Sequence, residues 1–167
     1  MTQRRRLDYR ERLLALPGDR DPLSVLAETP SRLEAIVRAH PVSRLTARAR
    51  EGQWTATEVI GHLGDGEWVY GYRLRLILCE DEPPLVGTKQ DAWVAAQRHN
   101  ERDPRELVEI FRTLRGLNLV LWRRLSPREL ARSGAHDERG RESLEVMLRM
   151  TAGHDLSHLA QIVRCLT

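Results

Sequence analysis

His154 and His158 stand four residues apart within the apolar-periodic segment Ser143 to Cys165. One helical turn takes 3.6 residues, so positions i and i+4 share a face, with Cβ atoms about 6 Å apart. Two imidazoles held this way can bind one metal ion. A pair alone binds weakly, however, and a working centre needs a third donor from another element. His62, inside a second strongly periodic segment, is the candidate. Neutral imidazoles suit zinc, nickel, iron or copper, and three protein ligands leave coordination open for water or substrate. An ion held so could lower the pKa of bound water toward neutrality to make a hydroxide nucleophile, or bind and deprotonate a cosubstrate thiol.

Other readings compete for the same residues. His154-Asp155-Leu156-Ser157-His158 has the outline of the HExxH helix of zinc proteases, with aspartate in place of the glutamate base. Aspartate is one methylene shorter, none of the nine residues after His158 is His, Asp or Glu, and no strand pattern is available to align a peptide. The protease reading is therefore set aside. Histidines on an apolar face can also be satisfied by hydrogen bonds inside a core, which is the main alternative for the pair alone. Asp65, three residues after His62, could orient that ring by accepting its second N–H, or could join a surface salt bridge instead. Glu67 and Asp155 are weaker candidates. His40 before Pro41, His99 on a polar stretch and His136 in a loop are expected at the surface. Trp54 is expected to pack the mouth of the fold or staple the start of a helix, with substrate contact a secondary role.

The elements that must position these residues read as helices. Asp21 to His40 carries Leu23, Leu26, Leu33, Ile36 and Val37, with Thr29-Pro30 marking either an internal cap or a kink. Thr55 to Glu58 has the form of a capping box and opens a second helix over about Ala56 to Cys79, where Val59, Leu63 and Val69 place His62 on or beside the buried stripe. Glu80 to Asp103 contains Pro83, Pro84, Gly87 and a short helical stretch near Ala92 to His99, a connection too long for adjacent antiparallel helices. It predicts a crossover that leaves the second and third helices parallel. Asp103, Pro104 and Glu106 open the third helix, whose expected stripe runs through Leu107, Ile110, Phe111, Leu114, Leu117, Leu121 and Leu125. Gly134 to Gly140 is expected to be a polar loop. The fourth helix carries Leu144, Met147, Thr151, His154, His158, Ile162 and Cys165 on one face. The fold class is all-α: a four-helix bundle with a long crossover between helices two and three, formed by residues 21–167 after an N-terminal arm of residues 1–20.

Composition narrows the partners. The 27 basic residues are interleaved with 24 acidic ones, which argues against a nucleic-acid face. No run approaches the roughly 20 apolar residues of a membrane span, and the charged N-terminus lacks the apolar stretch of a signal peptide, so a cytoplasmic protein is expected. Cys79 and Cys165 are too isolated for a disulfide framework or a cysteine metal site.

Two motifs carry a family resemblance. Trp54-Thr55-Ala56-Thr57-Glu58-Val59-Ile60-Gly61-His62-Leu63-Gly64-Asp65 is similar to the tryptophan, cap and HL-x-D signature of the DinB/YfiT-like superfamily of candidate metalloenzymes, and Gly153 to Ile162 to its H-D-x-x-H-L-x-Q-I ending. The resemblance spans about Leu23 to Leu166. It implies a four-helix bundle, often a homodimer, in which His62, His154 and His158 bind a divalent metal, zinc or nickel foremost. It also implies a small-molecule substrate, with a low-molecular-weight thiol as cosubstrate in some members and hydrolysis or isomerisation in others. The contrasting expectation is a non-catalytic, stress-linked dimeric binding protein with a structural or vestigial metal site. Neither cysteine is placed to act as the nucleophile, so the attacking group is expected from solvent or a cosubstrate.

Overall fold

The computed structural model describes the backbone of residues 3–167 and the side chains from residue 9 onward. Its elements in chain order are α1 (Gln3–Ala15), α2 (Pro22–Ala39), α3 (Val42–Leu45), α4 (Ala56–Cys79), β1 (Pro84–Leu85), α5 (Gln90–Ala96), a 3-10 turn at His99–Glu101, α6 (Pro104–Trp122), α7 (Pro127–Leu130), β2 (Ser133–His136), β3 (Gly140–Ser143) and α8 (Leu144–Leu166).

The long helices begin where side chains can satisfy their free N–H groups. Asp21 caps α2 with Pro22 at its first position, and Asp103 and Pro104 do the same for α6. Thr55 and Glu58 form a complete capping box at α4, and Ser143 caps α8. Pro30 does not divide α2, which runs through it unbroken. The Thr29 hydroxyl donates to Val25 O at 2.9 Å, and Leu26 O, the carbonyl that Pro30 cannot reach for want of an N–H, accepts from Arg115 at 2.8 Å instead.

Two apolar clusters fix the helix directions. One gathers Leu33 and Val37 of α2, Val59, Ile60 and Leu63 of α4, Leu107 and Phe111 of α6, and Leu159 and Ile162 of α8. The other gathers Val25 and Leu26, Leu74 and Ile77, Leu119 and Trp122, and Leu144 and Met147 of the same four helices. Thus α4 and α6 run from the first cluster to the second, parallel to each other, while α2 and α8 run back. Each of α4 and α2 packs against both α6 and α8, closing a four-helix bundle, with the crossover of residues 80–103 joining the parallel pair. Each buried leucine adds about 1.5–3 kcal/mol of apolar transfer, so these faces dominate the stability.

Three features depart from the sequence reading. The α6 stripe is rotated: Leu117 is 58% exposed, while Arg115, Asn118 and Trp122 point inward. The segment expected to be a polar loop contains a hairpin instead, β2 antiparallel to β3, with β1 parallel to β2. This sheet is a peripheral addition, docked where α4 ends and α8 begins through Leu85 in the second cluster. Lastly, α1 lies against α8, and the contact is close: a Cβ added to Gly153 would sit 1.9 Å from the Leu13 carbonyl oxygen. Among the described residues, no helix is long and apolar enough to cross a membrane.

Candidate metal centre

The capping box sets where α4 starts, and His62 follows within two turns on its buried face. The antiparallel α8 brings His154 and His158 across from it. One ring nitrogen from each of the three histidines lies within 4.8 Å of the other two, and all three residues are buried. His62 Nε2 and His154 Nε2 are 3.1 Å apart, and the three ring centroids are separated by 4.3 to 5.1 Å. The Trp54 ring covers one side, 4.9 Å from His62 and stacked 6.4 Å from His158, in agreement with its expected packing role.

Protonation and tautomer suit metal binding. Burial holds His62 down at about 3, with His158 and His99 adding to the effect, and burial likewise lowers His154 and His158. All three rings are therefore neutral near pH 7. The Nδ1 of His158 lies 2.8 Å from Gln161 Oε1, an oxygen that can only accept, so this nitrogen carries the proton. Its Nε2 is left as a lone-pair site, buried and without a hydrogen-bond partner. A buried unsatisfied nitrogen costs about 1–3 kcal/mol, which a metal bond would recover. Two imidazoles on one tetrahedral zinc have nitrogens roughly 3.3 Å apart, close to the separation seen here between His62 and His154. The residues fit a divalent ion.

Around the cluster, several placements differ from expectation. Asp65 does not reach His62. Its carboxylate accepts from Gln97 Nε2 and pairs with His99 Nε2, both at 2.9 Å. His99 is buried, not a surface residue, and packs so tightly that a Cβ on Gly61 would approach its ring to 2.4 Å. His136 is buried too. Glu67 and Asp155 belong to a separate network centred on Arg115, which no sequence argument singled out. Arg115 donates to Asp155 at 2.7 and 3.0 Å, to Glu67 at 2.8 Å and to Leu26 O at 2.8 Å, while Asn118 donates to both Glu67 Oε2 and Glu67 O. Burial opposes the guanidinium charge, but Asp155 and Glu67 outweigh it and raise its pKa. The available signal was spacing: Arg115 lies four residues from both Phe111 and Leu119, on the buried face of α6.

His62 and His154 also line a cavity of about 90 Å³ between α4, the crossover and the hairpin, together with Tyr70, Arg73, Trp93 and His136. Burial pushes the Tyr70 hydroxyl up to about 12, so it stays protonated, and its ring meets His154 edge-on at 5.9 Å. Neither cysteine lines this cavity: Cys79 is exposed at the end of α4, and Cys165 donates to Trp54 O at 3.4 Å, its thiol pKa raised by burial.

A helical bundle whose interior holds three convergent neutral histidines beside a polar cavity has the form of a metal-binding domain. The signature of the DinB superfamily matches residues 26–162, and the chain belongs to that superfamily. It is 28% identical over 141 residues to YfiT of Bacillus subtilis (strain 168), a candidate metal-dependent hydrolase by name, covering 84% of this chain and 79% of that one. A candidate metal-dependent hydrolase of Oceanobacillus iheyensis, OB0782, is 30% identical over 120 residues, covering 71% and 69%. The solved structure of Bacillus subtilis YfiT, described as a four-helix bundle of unusual topology, superposes with a TM-score of 0.81 at 27% identity over 86% of this chain and 83% of that one. A mycothiol-dependent maleylpyruvate isomerase shares the fold, with a TM-score of 0.68 at 14% identity over 84% of this chain and 59% of that one.

Proposed function

We propose that His62, His154 and His158 hold one divalent ion, zinc or nickel, and that the chain is a metal-dependent enzyme acting on a small electrophile, of hydrolase or thiol transferase type. The observation that carries this reading is the orphaned Nε2 of His158, buried beside the facing Nε2 atoms of His62 and His154. Held by these three neutral imidazoles, a divalent ion would supply the acidification of a water or a low-molecular-weight thiol. The protein's own groups do the rest. Trp54 closes one side of the cluster against solvent, and Gln161 holds the His158 ring in the tautomer that presents Nε2 inward. Tyr70, protonated beside His154, can donate a hydrogen bond to an oxygen of the substrate.

The names of the YfiT relatives support water as the attacking group, and the shared fold of the mycothiol-dependent isomerase brings in the thiol. We place the protein in the cytoplasm and assign Trp68, Tyr72 and Val86, 64 to 72% exposed on one side of the molecule, to a homodimer contact. The test is a screen of esters, amides and activated halides, with and without thiol, on metal-loaded and metal-stripped protein. Turnover should require metal and survive replacement of both cysteines by serine. Turnover that persists without metal, or that disappears in the cysteine-free variant while fold and metal content remain, overturns the reading. A metal-bearing protein inert to every substrate favours the non-catalytic alternative.

A further inference from the structure

Helix α4 carries a second apolar stripe that the bundle leaves largely uncovered. Trp68, Tyr72 and Leu76 recur at four-residue spacing and so stand one above another, whereas Leu63, Leu74 and Ile77 of the same helix belong to the core. Trp68 and Tyr72 are each 64% exposed, and Leu76 is half-buried. With Leu85 and Val86 of the crossover and Trp93 of α5 they line a groove of about 640 Å³. Arg73 shapes its edge: its Nη2 donates to Val86 O at 2.6 Å, which fixes the backbone of a valine whose side chain is turned outward. Arg73 and Glu80, one of each sign, are the charged residues of its lining. An exposed apolar surface of this kind marks a place where something binds.

The position of the groove says what that is. Val69, Arg73, Gly87, Thr88 and Trp93 line both the groove and the cavity of His62 and His154, so the two hollows adjoin across one layer of side chains. Pockets for small organic ligands run from about 300 to 1,000 Å³. The cavity, at about 90 Å³, admits only the reacting end of such a molecule, and the groove has room for the remainder. Their linings differ to match. Histidines and charged side chains wall the cavity, while rings and aliphatic chains dominate the groove. A charged tail laid against Trp68, Tyr72 and Leu85 would lose hydration for no counter-charge, whereas an aromatic ring gains both by transfer from water and by ring contacts.

We infer that the groove seats the uncharged aromatic tail of the substrate, with the polar reacting end in the cavity at His62 and His154 and Trp93 between the two. This deepens the proposed function and rests on it for the reaction at the polar end, but not for the binding of the tail. A dimer contact on the exposed rims of Trp68, Tyr72 and Val86 is compatible with a ring lying deeper, against Leu76, Leu85 and Trp93. Displacement of one by the other is not.

The probes are 2-naphthamide, its aliphatic counterpart cyclohexanecarboxamide and the tailless acetamide, titrated into full-length protein loaded with zinc and again after chelation. The indole N–H resonances of the four tryptophans, assigned by single Trp→Phe variants, report the groove, and histidine ring resonances report the cavity. In both preparations 2-naphthamide should saturably shift Trp68, Trp93 and His154 and leave Trp122, buried in the second cluster, unmoved. Cyclohexanecarboxamide should bind more weakly, and acetamide not measurably. Trp93→Ala should weaken 2-naphthamide about tenfold or more, the loss of one ring contact and its buried area. Leu117→Ala, at an exposed leucine of α6 outside the groove, should leave its affinity unchanged. Equal affinity for 2-naphthamide and acetamide, a shift at Trp93 without one at His154, or unchanged affinity in Trp93→Ala overturns the site. If that variant does not fold, Tyr72→Glu, a change on the exposed stripe, decides in its place and should weaken 2-naphthamide likewise. Dimers that 2-naphthamide dissociates in sedimentation velocity would assign the groove to a second copy and also overturn the site. Metal analysis of the same samples keeps the two readings apart. Ring-selective binding in protein that takes up no metal removes only the metal reading, and metal without ring selectivity removes only the groove.

Discussion

The bundle interior holds two polar constellations built from overlapping helices, and they are satisfied to different degrees. Around Arg115 the charge is met on every side although its Nε stays without a partner: two carboxylates, the Asn118 amide and even the carbonyl released by Pro30 are used. Around His154, one residue earlier than Asp155 in the chain, three imidazoles meet one another and leave a buried nitrogen without a partner. A closed network contributes to one packed arrangement, whereas an incomplete one persists where an outside atom completes it. The two constellations differ in charge as well: the first pairs a cation with two carboxylates, and the second gathers three imidazoles whose protonation burial disfavours.

The largest effect should come from breaking the closed network. Arg115→Ala leaves Glu67 and Asp155 buried without their cation and should cost about 3–5 kcal/mol in denaturant unfolding. A loss below 1 kcal/mol would show that the two constellations do not differ in this way.

Acid should act on the open one. In metal-free protein the folded state keeps His62 neutral down to about 3, while the unfolded chain binds that proton near 6.5. Between those values unfolding takes up protons, so stability is complete above pH 6.5 and falls as pH drops, by up to about 1.4 kcal/mol per pH unit for this group. Thermal melts of metal-free protein across that window check the sign, and His62→Gln should flatten the slope.

Smaller still is Asp65→Asn. It keeps a bond to Gln97 and weakens the one to His99, which should cost about 1 kcal/mol and leave metal content unchanged, since the Asp65 carboxylate bonds to Gln97 and His99 and not to His62. A loss of metal in this variant would restore Asp65 as the group that orients the ligand. His158→Ala should change the stability of metal-free protein by about 1 kcal/mol, because the lost Nδ1 bond to Gln161 and the lost packing against Trp54 are partly offset by removal of the unpartnered Nε2.

Local signals made much of this legible in the sequence. The Thr55–Glu58 box and the Asp103-Pro104 cap are short-range hydrogen-bonding patterns, and the structure realises both. The length of the 80–103 connection implied parallel helices, and the two apolar clusters show them. What escaped depends on partners distant in the chain. Arg115 was not singled out because its carboxylates lie 40 and 48 residues away. His99 and His136 lie in polar stretches, and their burial comes from Gly61 on α4 and from the hairpin seated against β1. That hairpin pairs Ser133-Gly134-Ala135-His136 with Gly140-Arg141-Glu142-Ser143, residues with little intrinsic strand preference, so docking to the bundle holds it where propensity does not.

The most direct test of the metal centre is elemental analysis of protein purified without a histidine tag, comparing the wild type with His158→Ala after circular dichroism has shown both to be folded. One divalent ion per chain in the wild type and none retained in the variant is the expected result. Equal metal content in the two, or no metal in wild type dialysed against zinc and nickel, would contradict the assignment of His62, His154 and His158 as a metal site.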